Sequence, residues 1–310
     1  MSDGTIALFL ASAVRLAGPI LLPALGEVVS ERAGVFNVGL EGMMLFGAFG
    51  AAAGADATNS AIIGALIGGA SGAAAGALLG FLVARLRADQ IVAGIGLNLL
   101  ALGVTSFLRT EFLGGSTSPV SAGVLKPLAL PLLSDLPLVG ASLFNQSPLI
   151  YVAVLGAFVL WIFIRSTRPG LVLRSVGERA VAADSAGVNV VKVRLLAVVF
   201  TGFMAGLGGA YLCIVQTGGV FIDNMTGGRG YLAIAVAIFG RWQPLWVCAA
   251  ALLFGAADAL QYQGQNLGLS VPTAILLMFP FALALLTWVL LGRSKAAPAD
   301  LGRPFIRGSG

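Results

Sequence analysis

Residues 165–194 read RSTRPGLVLRSVGERAVAADSAGVNVVKVR, a charged, glycine-containing interruption between two long apolar runs. It carries Arg165, Arg168, Arg174, Arg179, Lys192 and Arg194 against only Glu178 and Asp184, in a chain whose charged residues make up 10% of the total. An Arg or Lys at the centre of a membrane-spanning helix costs roughly 2.5–3.5 kcal/mol. The stretch therefore belongs outside the hydrocarbon, and its basic excess places it on the cytoplasmic side. Within it, Glu178 to Ala186 has good helix propensity and Gly187 is a natural terminator. A short cytoplasmic helix is expected there.

The runs on either side decide the class. The 310 residues are 58% hydrophobic, with mean hydropathy +0.97, well beyond a soluble domain. An all-α polytopic membrane protein follows. A span needs about 20 apolar residues. The runs that qualify are 6–25, 35–55, 61–84, 91–108, 148–165, 194–214, 220–240, 242–262 and 272–291, which makes nine. Arg85, Arg87, the 166–194 loop, Arg241 and the tail with Arg293, Lys295, Arg303 and Arg307 are expected in the cytoplasm. Alternation then puts the N-terminus outside and segment 26–34, with Glu27, Glu31 and Arg32, inside. Residues 1–291 form one transmembrane domain and 292–310 a cytoplasmic tail, which the Ala, Gly and Ser around Pro298 mark as disordered. The 109–147 gap, with Pro119, Pro127, Pro131 and Pro137, falls outside, either as a cap over a channel mouth or as a solvated connector. The first span lacks the basic leader and cleavage site of a signal peptide.

Composition also excludes functions. The chain has no His, and its two Cys, Cys213 and Cys248, lie inside apolar runs, so neither a metal cluster, a disulfide nor histidine base catalysis is expected. The net charge of +5 resides in basic residues at the ends of spans, as membrane orientation requires, which leaves no nucleic-acid partner. No G-x-x-x-x-G-K-[ST] loop is present, so the chain itself has no phosphate cradle for ATP.

Two further stretches are irregular. Residues 31–54, ERAGVFNVGLEGMMLFGAFGAAAG, open polar and glycine-rich and turn apolar only after Glu41, which reads as a broken or loop-led span. Residues 223–240, DNMTGGRGYLAIAVAIFG, place Gly227, Gly228 and Gly230 around Arg229 before a short apolar run, which reads as a bent, non-helical entrance. GVFNVGLEG at 34–42 is echoed by GVFIDNMTGGRG at 219–230. On the alternation above, one copy enters from inside and the other from outside, the pattern of a weak inverted repeat with the transport pathway at its interface.

Glu41 has two readings, a group facing a translocation cavity or a carboxylate stabilised by a helix N-terminus or by Arg32. Asn98, the amide of the 91–108 run, either lines a cavity or bonds one helix to another. Phe36, Phe221 and Tyr231 offer faces that stack on a base or simply pack. Arg15 and Asp258 are read as structural.

The motifs resemble the permease subunits of ABC importers of the ribose, branched-chain amino acid and nucleoside type, a type II importer-like fold. Gly177-Glu178, Ala182-Ala183 and Gly187 resemble the coupling helix that sits on the ATPase, although Val181 stands where the older importer consensus has Glu. ERAGVFNVGLEGMM at 31–44, Leu97-Asn98, and Gly240-Arg241-Trp242 resemble nucleoside-type permeases in particular. The resemblance implies an inner-membrane permease with no cofactor of its own. ATP is bound by a partner ABC ATPase, solute is delivered by a periplasmic or lipoprotein binding protein, and a second homologous permease completes a heterodimer. It further implies a small-molecule solute, a nucleoside or nucleobase, with a simple sugar or riboflavin as alternatives. The expected substrate pathway draws on Phe36, Asn37, Glu41, Asn98, Asn224, Arg229 and Tyr231. ATPase coupling is expected to draw on Gly177, Glu178, Arg179, Ala182, Ala183 and Gly187. An ion-coupled transporter would carry more intramembrane carboxylates than Glu41 and Asp258, and a membrane-embedded enzyme would need a catalytic pair that is absent here.

Overall fold

The computed structural model describes residues 3–112, 125–129, 140–263, 278–283, 285–286, 289 and 297–307. In chain order the helices are α1 (Asp3–Arg32), α2 (Leu40–Thr58), α3 (Ala61–Gly80, continued by a π-helical turn to Arg85), α4 (Gln90–Phe112) and α5 (Gly140–Leu143). They continue with α6 (Pro148–Ser166), α7 (Arg168–Glu178), α8 (Ala180–Ser185) and α9 (Val190–Ala210, continued by a π-helical stretch to Gln216), then α10 (Arg229–Phe239) and α11 (Pro244–Gln263). The strands β1 (Leu128–Ala129) and β2 (Asn145–Gln146) pair antiparallel near the N-terminal half of α1, a small departure from an all-helical chain.

Among the described residues six helices are long and apolar enough to cross a membrane: Ile6–Arg32, Ala61–Arg85, Gln90–Phe112, Pro148–Ser166, Val190–Gln216 and Pro244–Gln261. Their outward faces carry Val92, Leu99, Leu155, Val159 and Trp246, each at least half exposed, an apolar belt suited to lipid and not to water. α10 has 11 residues, roughly 16 Å at 1.5 Å per residue, and is too short to span a core of about 30 Å alone. The expected span at 272–291 lies largely outside the described residues.

The centre of the bundle is a set of glycine contacts. Gly47 of α2 and Gly68 and Gly72 of α3 press against the backbone of α9 at Gly202 and Gly206, where an added Cβ would collide with main-chain atoms. Without a hydrophobic driving force between helices in lipid, such close backbone approach is what packs them. α1 runs past α9 despite Pro19 and Pro23. Proline at 19 has no N–H to give to the carbonyl four residues earlier, and the freed Arg15 carbonyl instead accepts from the Tyr211 hydroxyl at 3.0 Å.

Three expectations are corrected. The first apolar run is expected to end at residue 25, but α1 continues to Arg32 and carries Glu27 and Glu31 completely buried on it. The helix expected over 178–186 is split: Glu178 ends α7, Arg179 is extended (φ −152°, ψ 88°), and α8 starts at Ala180. Residues 297–307 of the tail are not disordered; they are hydrogen-bonded and packed onto the α7–α8 face, because Asp300 and Phe305 find partners there.

Candidate functional site

Two irregular segments converge on one carboxylate. Residues 33–39 lead into α2 and turn at Gly34 (φ +84°). Residues 217–228 lead into α10 and turn at Gly228 (φ +86°), a left-handed conformation that glycine adopts without a Cβ penalty. Glu41, in the first turn of α2, reaches across to the start of α10. Its Oε1 accepts from the Gly228 N–H at 2.7 Å and its Oε2 from the Gly230 N–H at 2.6 Å. A Cβ on Gly230 would stand 2.5 Å from the Glu41 nitrogen, so this approach requires glycine. The first N–H groups of a helix have no intrahelical acceptor, and a buried carboxylate there gains charge-assisted bonds and the favourable helix dipole. Glu41 is therefore the N-terminal anchor of α10, not of its own helix, and Arg32 is not its hydrogen-bond partner.

Asn98 locks the same junction from α4. Its Oδ1 accepts from the Gly42 N–H at 2.8 Å, and its Nδ2 donates to the Val38 carbonyl at 3.0 Å and to the Tyr231 hydroxyl at 2.9 Å. The amide thus joins the α2 entrance, α4 and α10. Tyr231 is 47% exposed, so its ring offers an open face beside this cluster.

Arg229, one residue into α10, faces a different space. With Ser12, Arg15, Thr217, Gln216 and Met225 it borders a cavity of 460 Å³. Its Nη1 donates to the Thr226 carbonyl at 3.3 Å, and buried Asp258 interacts with it electrostatically. Asn224 sits apart, exposed on the preceding turn (φ +54°). That turn is tied to the end of α4 by an Arg109–Asp223 ion pair and by Ser106 Oγ donating to Asp223 at 2.9 Å.

Phe36 and Asn37 lie on the other side of the junction. The Phe36 N–H donates to Gln90 Oε1 at 2.7 Å, and the wholly buried Asn37 gives its N–H to Glu27 Oε1 at 3.1 Å. Below them Glu31 accepts from the Trp242 indole, and Arg32 donates twice to the Trp242 carbonyl at 3.3 Å. Glu27, Glu31, Gln90 and Trp242 are the residues that sequence reasoning missed. A Glu pair at i, i+4 ahead of the glycine-rich segment was the available signal, but it reads equally as a solvated helix end. The expected pathway residues thus divide into a Glu41–Asn98–Tyr231 cluster, Arg229 in the neighbouring cavity, Phe36 and Asn37 behind, and Asn224 alone.

The α7–α8 segment presents a separate surface. Glu178, Arg179, Ala182 and Gly187 are exposed, whereas Gly177 and Ala183 are buried. Gly177 packs against the Arg32 carbonyl, where a Cβ would collide, and Ala183 joins Val176, Ala180 and Val190 in a small core. Gly187 (φ +86°) ends the unit in a left-handed turn with its N–H bonded to the Asp184 carbonyl at 2.9 Å.

Comparison with known proteins agrees with this architecture. The family described as branched-chain amino acid transport system / permease component matches residues 9–290. The guanosine ABC transporter permease protein NupQ of Bacillus subtilis is 36% identical over 308 residues, covering 94% of each chain. The nucleoside ABC transporter permease protein NupC of Lactococcus lactis is 33% identical, covering 96% of each. A putative glucose ABC transporter permease protein, TsgC13 of Haloferax volcanii, is 38% identical over 258 residues, covering 83% of this chain and 78% of its own.

Proposed function

Because the chain belongs to the family of branched-chain amino acid transport system permease components, we propose that it is the membrane-spanning permease of an ATP-driven importer for nucleosides or nucleobases. It is a multi-pass inner-membrane protein with six candidate spans among its described residues. The observation that carries the solute class is its similarity, along nearly the whole chain, to two permeases named for guanosine and nucleosides. A glucose permease of comparable identity supports a simple sugar as the second reading.

In this reading a separate ATPase docks on the exposed side of α7–α8, a solute-binding protein delivers from outside, and a second permease completes the pathway. The chain also has nine spans, with residues 34–42 and 219–230 as matching entrances of an inverted repeat. What supports the repeat is the meeting of two glycine-turned segments at Glu41, each preceding a helix that starts in the protein interior. A bent backbone within the bilayer is tolerated only where protein or a cavity satisfies it, and such breaks mark solute sites in transporters. Tyr231 then stacks on a solute ring, Arg229 borders the outer vestibule, and Glu41 and Asn98 hold both in position.

The test is competition. In cells expressing the complete transporter, unlabelled guanosine, cytidine and glucose are each offered against radiolabelled guanosine. Uptake of guanosine blocked by nucleosides and untouched by glucose is expected; no guanosine uptake, or uptake blocked by glucose and untouched by cytidine, would transfer the assignment to the sugar reading.

A further inference from the structure

The cytoplasmic tail makes contacts that no pathway or docking role requires. The Asp300 N–H donates to the Gly177 carbonyl at 2.9 Å, and Asp300 Oδ2 accepts from the Ala180 N–H at 2.8 Å, across the break between α7 and α8. Two residues on, the Gly302 N–H donates to the Gly34 carbonyl at 3.2 Å. Arg194, buried at the start of α9, gives Nη1 to the Arg303 carbonyl at 2.7 Å and Nε to the Ala33 carbonyl at 3.2 Å. Phe305 packs against the small core of Val176, Ala180, Ala183 and Val190, and Arg307 pairs with Asp184 at 3.1 Å. The joint has no slack: a Cβ on Gly34 would stand 2.9 Å from Arg194 Nη2 and 3.2 Å from the Asp300 carbonyl.

The tail therefore holds two elements at once. One is α8, on the face read above as meeting the ATPase; the other is the segment that runs from Gly34 to Glu41, whose carboxylate anchors α10. A displacement of α8 must either break the Asp300 and Gly302 bonds or carry residues 33–35 with it. We propose that residues 298–307 are a transmission strap that passes motion of the α7–α8 segment to the 33–39 entrance, with Asp300 as its positioning residue. The proposal rests on reading α8 as the ATPase-facing element.

The experiment uses the complete complex in proteoliposomes, with wild-type chain, Asp300→Ala, Asp300→Asn and a chain ending at residue 297. Assembly, ATP hydrolysis, guanosine moved per ATP and hydrogen exchange at residues 33–39 with and without ATP are read on each. Asp300→Ala is expected to assemble and hydrolyse ATP, yet to move about fivefold less guanosine per ATP, the factor for losing a helix-capping bond. Asp300→Asn keeps an acceptor oxygen and should retain most of the wild-type ratio. Truncation should lower the ratio further and abolish the ATP-dependent change at 33–39. A wild-type ratio in the truncated or Asp300→Ala complex overturns the strap, as does a proportional fall of hydrolysis and uptake. If the wild type moves no guanosine, the solute reading fails, and the exchange signal decides the strap by itself.

Discussion

Replacing Glu41 by Gln changes one atom and tests the junction of α2 and α10. The carboxylate accepts from the partly buried Gly228 N–H at 2.7 Å and the buried Gly230 N–H at 2.6 Å. Gln keeps one acceptor and turns an NH₂ toward the other N–H, leaving that donor unsatisfied at about 1–3 kcal/mol. The lost charge at the start of α10 adds about 0.3–1 kcal/mol. The sum, about 1.3–4 kcal/mol, corresponds to roughly 10- to 1,000-fold in an equilibrium constant. Hydrogen exchange at residues 228–232 of the purified permease should accelerate by a factor in that range, and Glu41→Ala, which strands both donors, should accelerate it further. Thermal unfolding in detergent should shift down in the same order, and uptake should fall because Tyr231 loses its fixed position. Wild-type exchange in Glu41→Gln, accompanied by lost uptake, would refute this account and make Glu41 a solute-facing group.

Gly187→Val places its Cβ in open space, with nothing within 4 Å, so its main cost is the backbone strain of φ +86°, about 1–3 kcal/mol. The complex should assemble while solute-stimulated ATP hydrolysis and uptake fall together; transport at the wild-type level would reduce 166–194 to a connector. Asn98→Leu removes bonds to Gly42, Val38 and Tyr231 and should lower stability by about 2–4 kcal/mol along with uptake, as thermal unfolding would report. Lost uptake at wild-type stability would instead return Asn98 to the pathway lining. A reporter fused after Gly310 should read as cytoplasmic and one at Gly123 as periplasmic, and a cytoplasmic signal at Gly123 would overturn the nine-span arrangement.

Hydropathy and glycine spacing carried much of this architecture. The apolar runs located the long helices to within several residues, and the clusters at 34–42 and 223–230 marked where α2 and α10 start late. Gly187 marked a helix end because a left-handed turn needs it. Pairings across some 200 residues carry no local signal. Glu41 could be read as a polar group near a membrane boundary, but not as the anchor of a helix 188 residues further on, at Arg229. The burial of Glu27 and Glu31 carried no local signal, because the Trp242 indole that donates to Glu31 arrives from 211 residues away. The tail looked disordered by composition, since Asp300 and Phe305 gain order only from α7, α8 and α9. The break at Arg179 was hidden because helix propensity there is favourable and the Asp300 contact at Ala180 overrides it.

We propose that ATP hydrolysis on a partner subunit, and not an ion gradient, drives this permease. The direct measurement is guanosine accumulation in proteoliposomes holding the two permeases and the ATPase, supplied with binding protein and with all ion gradients collapsed by ionophores. Accumulation that requires ATP on the side bearing residues 166–194, and stops when hydrolysis is blocked, is predicted. Accumulation that proceeds without ATP once a proton or sodium gradient is imposed would contradict the account.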